Sequence, residues 1–475
     1  VLKRSSRHPS ARAAFLLPLA ALLLALPVRS AEPAEREPWR FGEAAGAPGW
    51  LKVEGAYRVR YESLQDSFRV AAEDSGSILV ERLLFALEAG SPRLYAKFEL
   101  QDSRAQLHDD ELLFGTDVVN AVEPLQLHLG LRRSDLFRKG DRFELKLGRI
   151  TMDVGSRRLV ARNRFRNTIN AFTGVHASWT GPGRGRLQAF YTLPVSRLPN
   201  VLEIDRLRDN AIQLDQETFD VRFWGLHAED PVWRGGLAID LYLYGLNEED
   251  QARVPSRNRD HLTAGARLSR GTGQEPWSFE VESAYQYGES RQTLLSEDVQ
   301  DLDHRAWFAH THVSHRFGGA GSPLLLLRYD YASGDRHPDD GRMERFDTLY
   351  GARRFEFGPS GVYGALARSN INSPGLALYL EPRPRTNLLF GYRAAWLASR
   401  FDRMTTSGVW DPSGQSGSFI GHQIEARLRM ELLPGNLELN VGGAYLDHGE
   451  FLEQAPNGPA AGQTAYGYAQ LELTF

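Results

Sequence analysis

The sequence predicts an all-β protein, a transmembrane antiparallel β-barrel, and three observations carry that expectation. Short segments of alternating apolar and polar residues follow one another along the chain. No apolar run beyond residue 50 reaches membrane-helix length. The chain stops on Phe475, with Leu473 and Leu471 two and four positions before it. At 475 residues it could hold two or three ordinary domains, but closed β architectures run longer as one unit. A mean hydropathy of −0.40 excludes a polytopic helical membrane protein. The absence of Cys excludes disulfide scaffolds, thiolate metal sites and Cys nucleophiles. A net charge of −4 gives no reason to expect nucleic acid as a partner, and 24 Phe, 17 Tyr and 9 Trp are too many aromatics for a disordered chain.

Taken in order, residues 1–30 read as a secretory signal peptide. Lys3, Arg4, Arg7 and Arg12 form a basic start, Ala13 to Val28 is apolar but interrupted by Pro18 and Pro27, and Val28-Arg29-Ser30 offers a cleavage site. Residues 31–50 read as a flexible lead-in, and 51–475 as the barrel. Strand-like segments fall at about 51–63, 77–90, 91–103, 124–134, 141–150, 172–180, 184–194, 218–229, 234–246, 259–269, 276–287, 304–317, 322–332, 361–370, 384–398, 418–433, 435–447 and 463–475. They run on without the linkers that a string of sandwich domains would need.

The alternation also orients the wall. Leu51, Val53, Tyr57, Val59 and Tyr61 share one face of the first segment, and Lys52, Glu54, Arg58 and Arg60 share the other. An Arg facing mid-bilayer costs roughly 2–4 kcal/mol. A one-residue slip would expose Arg58 and Arg60, so the apolar face must meet lipid. In the last segment Ala465, Gly467, Ala469, Leu471, Leu473 and Phe475 take the outer parity, against Tyr466, Tyr468, Gln470, Glu472 and Thr474. The expected location is the outer membrane of a Gram-negative cell. The expected partners are outer-membrane lipid, lipopolysaccharide and the barrel-assembly machinery, and the expected state is a monomer.

The densest chemistry lies between Gly148 and Asn167. Six arginines occur from Arg149 to Arg166, with Asp153 the only acid. Guanidinium groups stay charged and fork onto carboxylate or phosphate, so such a cluster in a narrow lumen would concentrate anions. A solvated loop pairing with acids elsewhere is the plainer alternative. Parity adds a condition: Phe143, Leu145 and Leu147 face lipid, so Arg149 reaches the lumen only through a bulge or if the strand leaves the bilayer there.

These residues resemble the alginate-export family of outer-membrane porins. The resemblance rests on Leu147-Gly148-Arg149, Gly155, Arg158-Leu159-Val160, Phe165-Arg166-Asn167-Thr168, Phe172-Thr173-Gly174-Val175, Tyr329 to Asp335, Phe346 to Gly358, Trp396 to Arg400 and Phe419-Ile420-Gly421. Ile150 stands where the family usually has Gln, and Thr173 where it has Asp. The resemblance implies eighteen strands and an arginine-rich constriction, and it marks Arg149, Arg158, Arg166, Arg353 and Arg354 as constriction candidates.

Other constellations are thinner. His304, His310, His312 and His315 cluster and suggest a metal, but lumenal hydrogen bonding is the simpler reading. Asp335, Asp339 and Asp340 could hold calcium, though the twelve-position loop spacing is absent. No Ser, His and Asp share a nucleophile-elbow pattern. The expectation is therefore a channel with no catalytic residues, cofactor or metal, passing an anionic small molecule or polysaccharide by export or uptake. A lipid- or glycan-modifying barrel and a plugged structural or adhesion barrel are the alternatives.

Overall fold

The computed structural model describes residues 37–70, 75–109, 114–250, 256–271, 275–295 and 297–475. The expected signal peptide and the lead-in up to residue 36 lie outside the described residues. The wall strands are β1 (Leu51–Gln65), β2 (Ser75–Gly90), β3 (Leu94–Gln106), β4 (Asn120–Ser134), β5 (Arg142–Ile150), β6 (Phe172–Thr180), β7 (Arg186–Pro194), β8 (Val221–Asp230), β9 (Leu237–Glu248), β10 (Asp260–Arg270), β11 (Trp277–Ser290), β12 (Leu302–Arg316), β13 (Leu324–Ala332), β15 (Ile371–Arg383), β16 (Thr386–Trp396), β17 (Phe419–Leu433), β18 (Leu437–His448) and β19 (Gln463–Thr474). The two-residue β14 (Arg342–Met343) belongs to a loop and pairs parallel with β12. The other eighteen close into one antiparallel barrel, sealed where β1 meets β19 from Ala56↔Thr474 to Gln65↔Ala465. Among the described residues no helix is long and apolar enough to cross a membrane; the crossing is made by strands.

The expected faces hold. Arg58, Arg60 and Glu62 are buried inside, while Tyr57 and Tyr61 are exposed outside. Leu129, Leu147, Leu327, Ile424 and Leu471 also project from the outer surface. Connections alternate in length. Turns such as 91–93, 181–185 and 434–436 lie at one end, with the start of β1, and loops 151–171, 195–220, 333–370 and 397–418 at the other. Short turns mark the periplasmic end of such barrels and long loops the outer end.

The seam at the short-turn end explains one glycine. Gly55 and Phe475 exchange two backbone hydrogen bonds of 2.8 and 2.9 Å. The Phe475 ring lies over Gly55 so closely that a Cβ there would sit 2.3 Å from it. Trp39 and Phe41 pack on the same ring at 6.4 Å, forming part of an aromatic edge at the level expected for a membrane interface.

Two expectations need correction. The segment 361–370 is not a strand but part of a loop inside the barrel, and the wall strand is the next stretch, β15. Pro374, Gly375 and Pro382 broke the strand pattern of β15, because proline removes a ladder donor and glycine a packing side chain. The lumen is also less uniformly wet than alternation implies. Phe172, Phe190, Phe223 and Tyr244 are buried on the inner parity, where they pack against the loops described next.

Candidate functional site in the lumen

Two loops, 151–171 and 333–370, enter the barrel and pair with each other. Val154 bridges Val160, and Val160 bridges Tyr350 in parallel. Tyr350 donates its backbone N–H to Leu159 O at 2.9 Å, and Ala352 donates to Arg157 O at 2.9 Å. At the crossing a Cβ on Gly351 would lie 1.7 Å from Arg158 O, so only glycine fits. The inner aromatics form the bed: Tyr350 packs 5.1 Å from Phe172 and 5.0 Å from Phe223.

The wall grips the first loop through its carbonyls. Arg58 donates to Arg164 O and Arg166 O at 2.9 Å each, Arg60 to Phe165 O at 2.7 Å, and Arg82 to Arg166 O at 3.0 Å. Asn167, 1% exposed, accepts from Arg58 and donates to Glu81 O and Val118 O. Phe165 sits beneath the guanidinium groups of Arg60 and Arg354, at 4.4 and 4.9 Å. The carbonyls of Arg164, Phe165 and Arg166 and the side chain of Asn167 are thus pinned from behind, which fixes the direction in which the Arg166 side chain leaves the turn.

The five sequence-predicted arginines fall into three situations. β5 carries no bulge; its register is continuous with β4 through Arg149 and with β6 through Ile150. Arg149 therefore takes the outer parity of Leu145 and Leu147, at the end of the strand, where it pairs with Glu123 and, at 2.7 Å, with Glu217. The disruption that does occur is in β4, where the register with β3 shifts near Leu100. Arg158 is inside and 4% exposed, but three acids hold it: Glu280 at 2.6 Å, Glu282 and Glu356. Arg354 is held by Glu425 at 2.6 Å. Arg166 and Arg353 differ from these. Among the described residues neither has an ion pair or a side-chain hydrogen bond, and the Nε of each is buried without a partner.

Arg166 and Arg353 come together although 187 positions separate them in sequence. Burial first, and then the charge of Arg166, pull Arg353 down to about 9. The same two causes pull Arg197 down to about 10. Arg353 and Arg197 both remain cationic at neutral pH. Arg69, pulled down to about 10 by burial, joins this group and donates to Val362 O and Tyr363 O rather than to an acid. Asp117 is the carboxylate that faces Arg69, Arg197 and Arg353. Arg166 and Arg197 line a cavity of about 210 Å³ with Asn170, Thr348 and Tyr350. Asn170 accepts from Arg197 at 2.6 Å and donates to Ala161 O and Tyr350 O, which ties the cavity to the loop crossing. Sequence reasoning missed Arg69 and Arg197. Each stands alone in its local sequence, and only the fold brings them to Arg166.

The histidine cluster is engaged by protein groups. His310 contacts Asp330 through Nδ1 at 2.6 Å and His312 through Nε2 at 3.1 Å. Ligand atoms of Glu280, His310 and His312, or of His310, Asp330 and Glu356, lie close enough to share a metal ion. The same carboxylates, however, are already matched by Arg158, Arg368 and Arg393, so the donor set fits an ion-pair network better than a cation. Asp335, Asp339 and Asp340 are not among the converging ligand groups of the described residues.

A model of the alginate export family matches residues 49–464. No curated protein matches the chain. Among solved structures, OccK5 (OpdH) of Pseudomonas aeruginosa is 12% identical with a TM-score of 0.54, over 90% of this chain and 99% of that one. OpdK of the same organism, solved with vanillate, is 13% identical with a TM-score of 0.55, over 89% and 98%. OccK2 (OpdF), solved in complex with glucuronate, is 14% identical with a TM-score of 0.53, again over 89% and 98%. At these identities the likeness is one of barrel fold.

Proposed function

The chain belongs to the alginate-export family, as an outer-membrane β-barrel channel for passive solute movement, and on that premise we propose that its solute is an anion held briefly by Arg166 and Arg353. One observation carries this reading: these two lumenal arginines lie close enough for the charge of one to act on the other, and among the described residues neither has an ion pair, Arg353 having Asp117 only at longer range, whereas Arg158 and Arg354 are each neutralised in place. An anion between them relieves a repulsion that the fold otherwise sustains. The site is pre-formed, because Asn167 and the wall arginines hold the backbone, so binding does not have to order the loop. Vanillate and glucuronate, held by two of the structural neighbours, are both carboxylates, and a carboxylate suits a forked guanidinium.

The work is passage rather than catalysis. Attraction by the unpaired arginines raises the local anion concentration, the two in-folded loops limit size, and few contacts per station allow release. Arg149 belongs to the outer rim in this scheme, and Arg158 and Arg354 hold the loops in place. The test is the zero-current potential of the purified protein in a planar bilayer across a KCl gradient. Wild type should prefer chloride. Arg166→Gln with Arg353→Gln should move the potential toward potassium, and the shift should shrink as the Debye length falls from about 10 Å at 0.1 M to about 3 Å at 1 M salt. A cation-preferring wild type would overturn the proposal. A silent bilayer would favour a plugged structural barrel, and phospholipid or glycan hydrolysis a barrel enzyme.

A further inference from the structure

A second cavity, again of about 210 Å³, lies against the inner wall where β13, β15, β16 and β17 run side by side. Its floor is Gly391, a glycine on the inner parity of β16. Gly375 sits opposite Arg328 and Arg393, Ala377 opposite Gly391, and Gly391 opposite Glu425. Where neighbouring positions send long polar chains inward, Gly391 sends none and the wall is hollow there, whereas the space over Gly375 is filled by the stems of Arg393 and Arg328. The next rung on the same face pairs Tyr379 with Leu389 and Leu389 with Arg427, while Phe355 of the in-folded loop covers the opposite side.

The charges around this hollow are unequal. Its two acids are matched, Glu356 by Arg158 and Arg368 and Glu425 by Arg354. Two of its arginines are not matched by acids. Among the described residues Arg427 has no ion pair or side-chain hydrogen bond, and its Nε is buried without a partner. Among the described residues Arg328 donates only to the carbonyls of Phe355 and Glu356, at 3.1 and 3.2 Å, and its Nε is likewise unsatisfied. A half-buried guanidinium whose Nε donor is buried and open calls for an acceptor. Beside it are two aromatic rings and a leucine, which call for an apolar surface.

We propose that this hollow binds an aromatic carboxylate, with its ring over Gly391 between Phe355, Tyr379 and Leu389 and its carboxylate on Arg427 and Arg328. This names a solute class for the anion channel proposed above and rests on that reading. The size is adequate, since an apolar cavity of about 150 Å³ already admits benzene. A sugar acid would meet the same arginines but would leave its hydroxyls against the rings and leucine, unpaired. The hollow therefore discriminates by the body of the anion, and the arginines by its charge.

The experiment measures interruption of the chloride current in planar bilayers by benzoate and by gluconate, at equal activity. Benzoate should interrupt the current at a concentration at least tenfold below gluconate. Gly391→Leu should abolish the difference by filling the hollow. Its Cβ would meet Glu425 Cβ at 3.6 Å, an ordinary contact, so the wall accepts it. Tyr379→Ser, which removes one side of the hollow without adding bulk, should cut the benzoate preference at least fivefold and serves if the first variant fails to insert. Arg427→Gln should weaken both anions together. Equal interruption by benzoate and gluconate in wild type, or an unchanged preference in both Gly391→Leu and Tyr379→Ser, would overturn the proposal. The zero-current potential in the same bilayers separates the two readings. An anion-selective wild type without benzoate preference removes only the hollow, and a cation-selective one removes both.

Discussion

Two arginines of the same loop, Arg158 and Arg166, lie eight positions apart and have opposite fates. Arg158 points into a buried network in which Glu280, Glu282 and Glu356 surround it, Arg368 shares Glu356, and His310 and Asp330 continue the chain of contacts. Arg166 points toward Arg353 and Arg197, with no ion pair of its own. The first cation is spent on structure: it fastens the 151–171 loop to β11 and to the 333–370 loop. The second has no ion pair among the described residues and lines a lumenal cavity, which is where the proposed anion would bind. A count of arginines in a lumen therefore says little about its field, and the count of unmatched ones says much.

Breaking the first region should give the largest effect. Glu356→Ala would strand Arg158 and Arg368 in a buried site, and removing one partner of such a pair costs about 3–5 kcal/mol. The expected signs are a lower thermal unfolding midpoint and a larger, noisier conductance as the loops loosen. A conductance unchanged from wild type would mean that the network does not hold the loops.

The same rule with its sign reversed applies at the root of the second loop. Asp335 is fully buried, with one carboxylate oxygen unpartnered, beside Asp402, which is already committed to Arg345. Burial and then the charge of Asp402 hold Asp335 up at about 6, against an ordinary 3.8. Between those values the folded chain keeps a proton that the unfolded chain has lost, so this contribution is present at low pH and disappears as pH rises through 6. Asp335→Asn should therefore raise the unfolding midpoint at pH 8 and change it little at pH 4. Thermal scans at the two pH values decide the matter, and a loss of stability at pH 8 would contradict it.

Arg149 sharpens the comparison from outside the lumen. Arg149→Leu leaves Glu123, 2% exposed, without its cation and should cost about 1–3 kcal/mol, with no change in the zero-current potential. Smallest in stability is the pair proposed to govern passage. Arg166→Gln and Arg353→Gln remove no ion pair and relieve a repulsion, so their midpoint should stay within about 0.5 kcal/mol of wild type while selectivity moves. A large loss of stability in that double variant would show that the two arginines are structural after all.

Much of the fold was legible because it depends on local parity. Arg58 and Arg60 had to face inward, and Tyr57 and Tyr61 outward, since the reverse would expose two guanidinium groups to hydrocarbon. The same logic placed Leu471 and Leu473 outside and exposed the problem with Arg149. It failed at β15, where Pro374 and Gly375 interrupt the pattern, and at Phe172 and Phe223, which face inward because a loop covers them. The site was legible only in part. The Phe165-Arg166-Asn167-Thr168 stretch could be singled out, yet not the reason for it, which is that Asn167 bonds to carbonyls on β2 and in the β3–β4 loop.

By itself the sequence determined a lipid-facing barrel, its register and the loop in which the cations concentrate, since an alternating strand in a bilayer has one affordable orientation. Which cations remain unmatched was decided by the tertiary structure alone. Arg158 meets Glu356 across 198 positions and Arg166 approaches Arg353 across 187. Charge is neutralised by neighbours in space, and in a closed barrel those neighbours come from opposite walls and from loops that fold back between them.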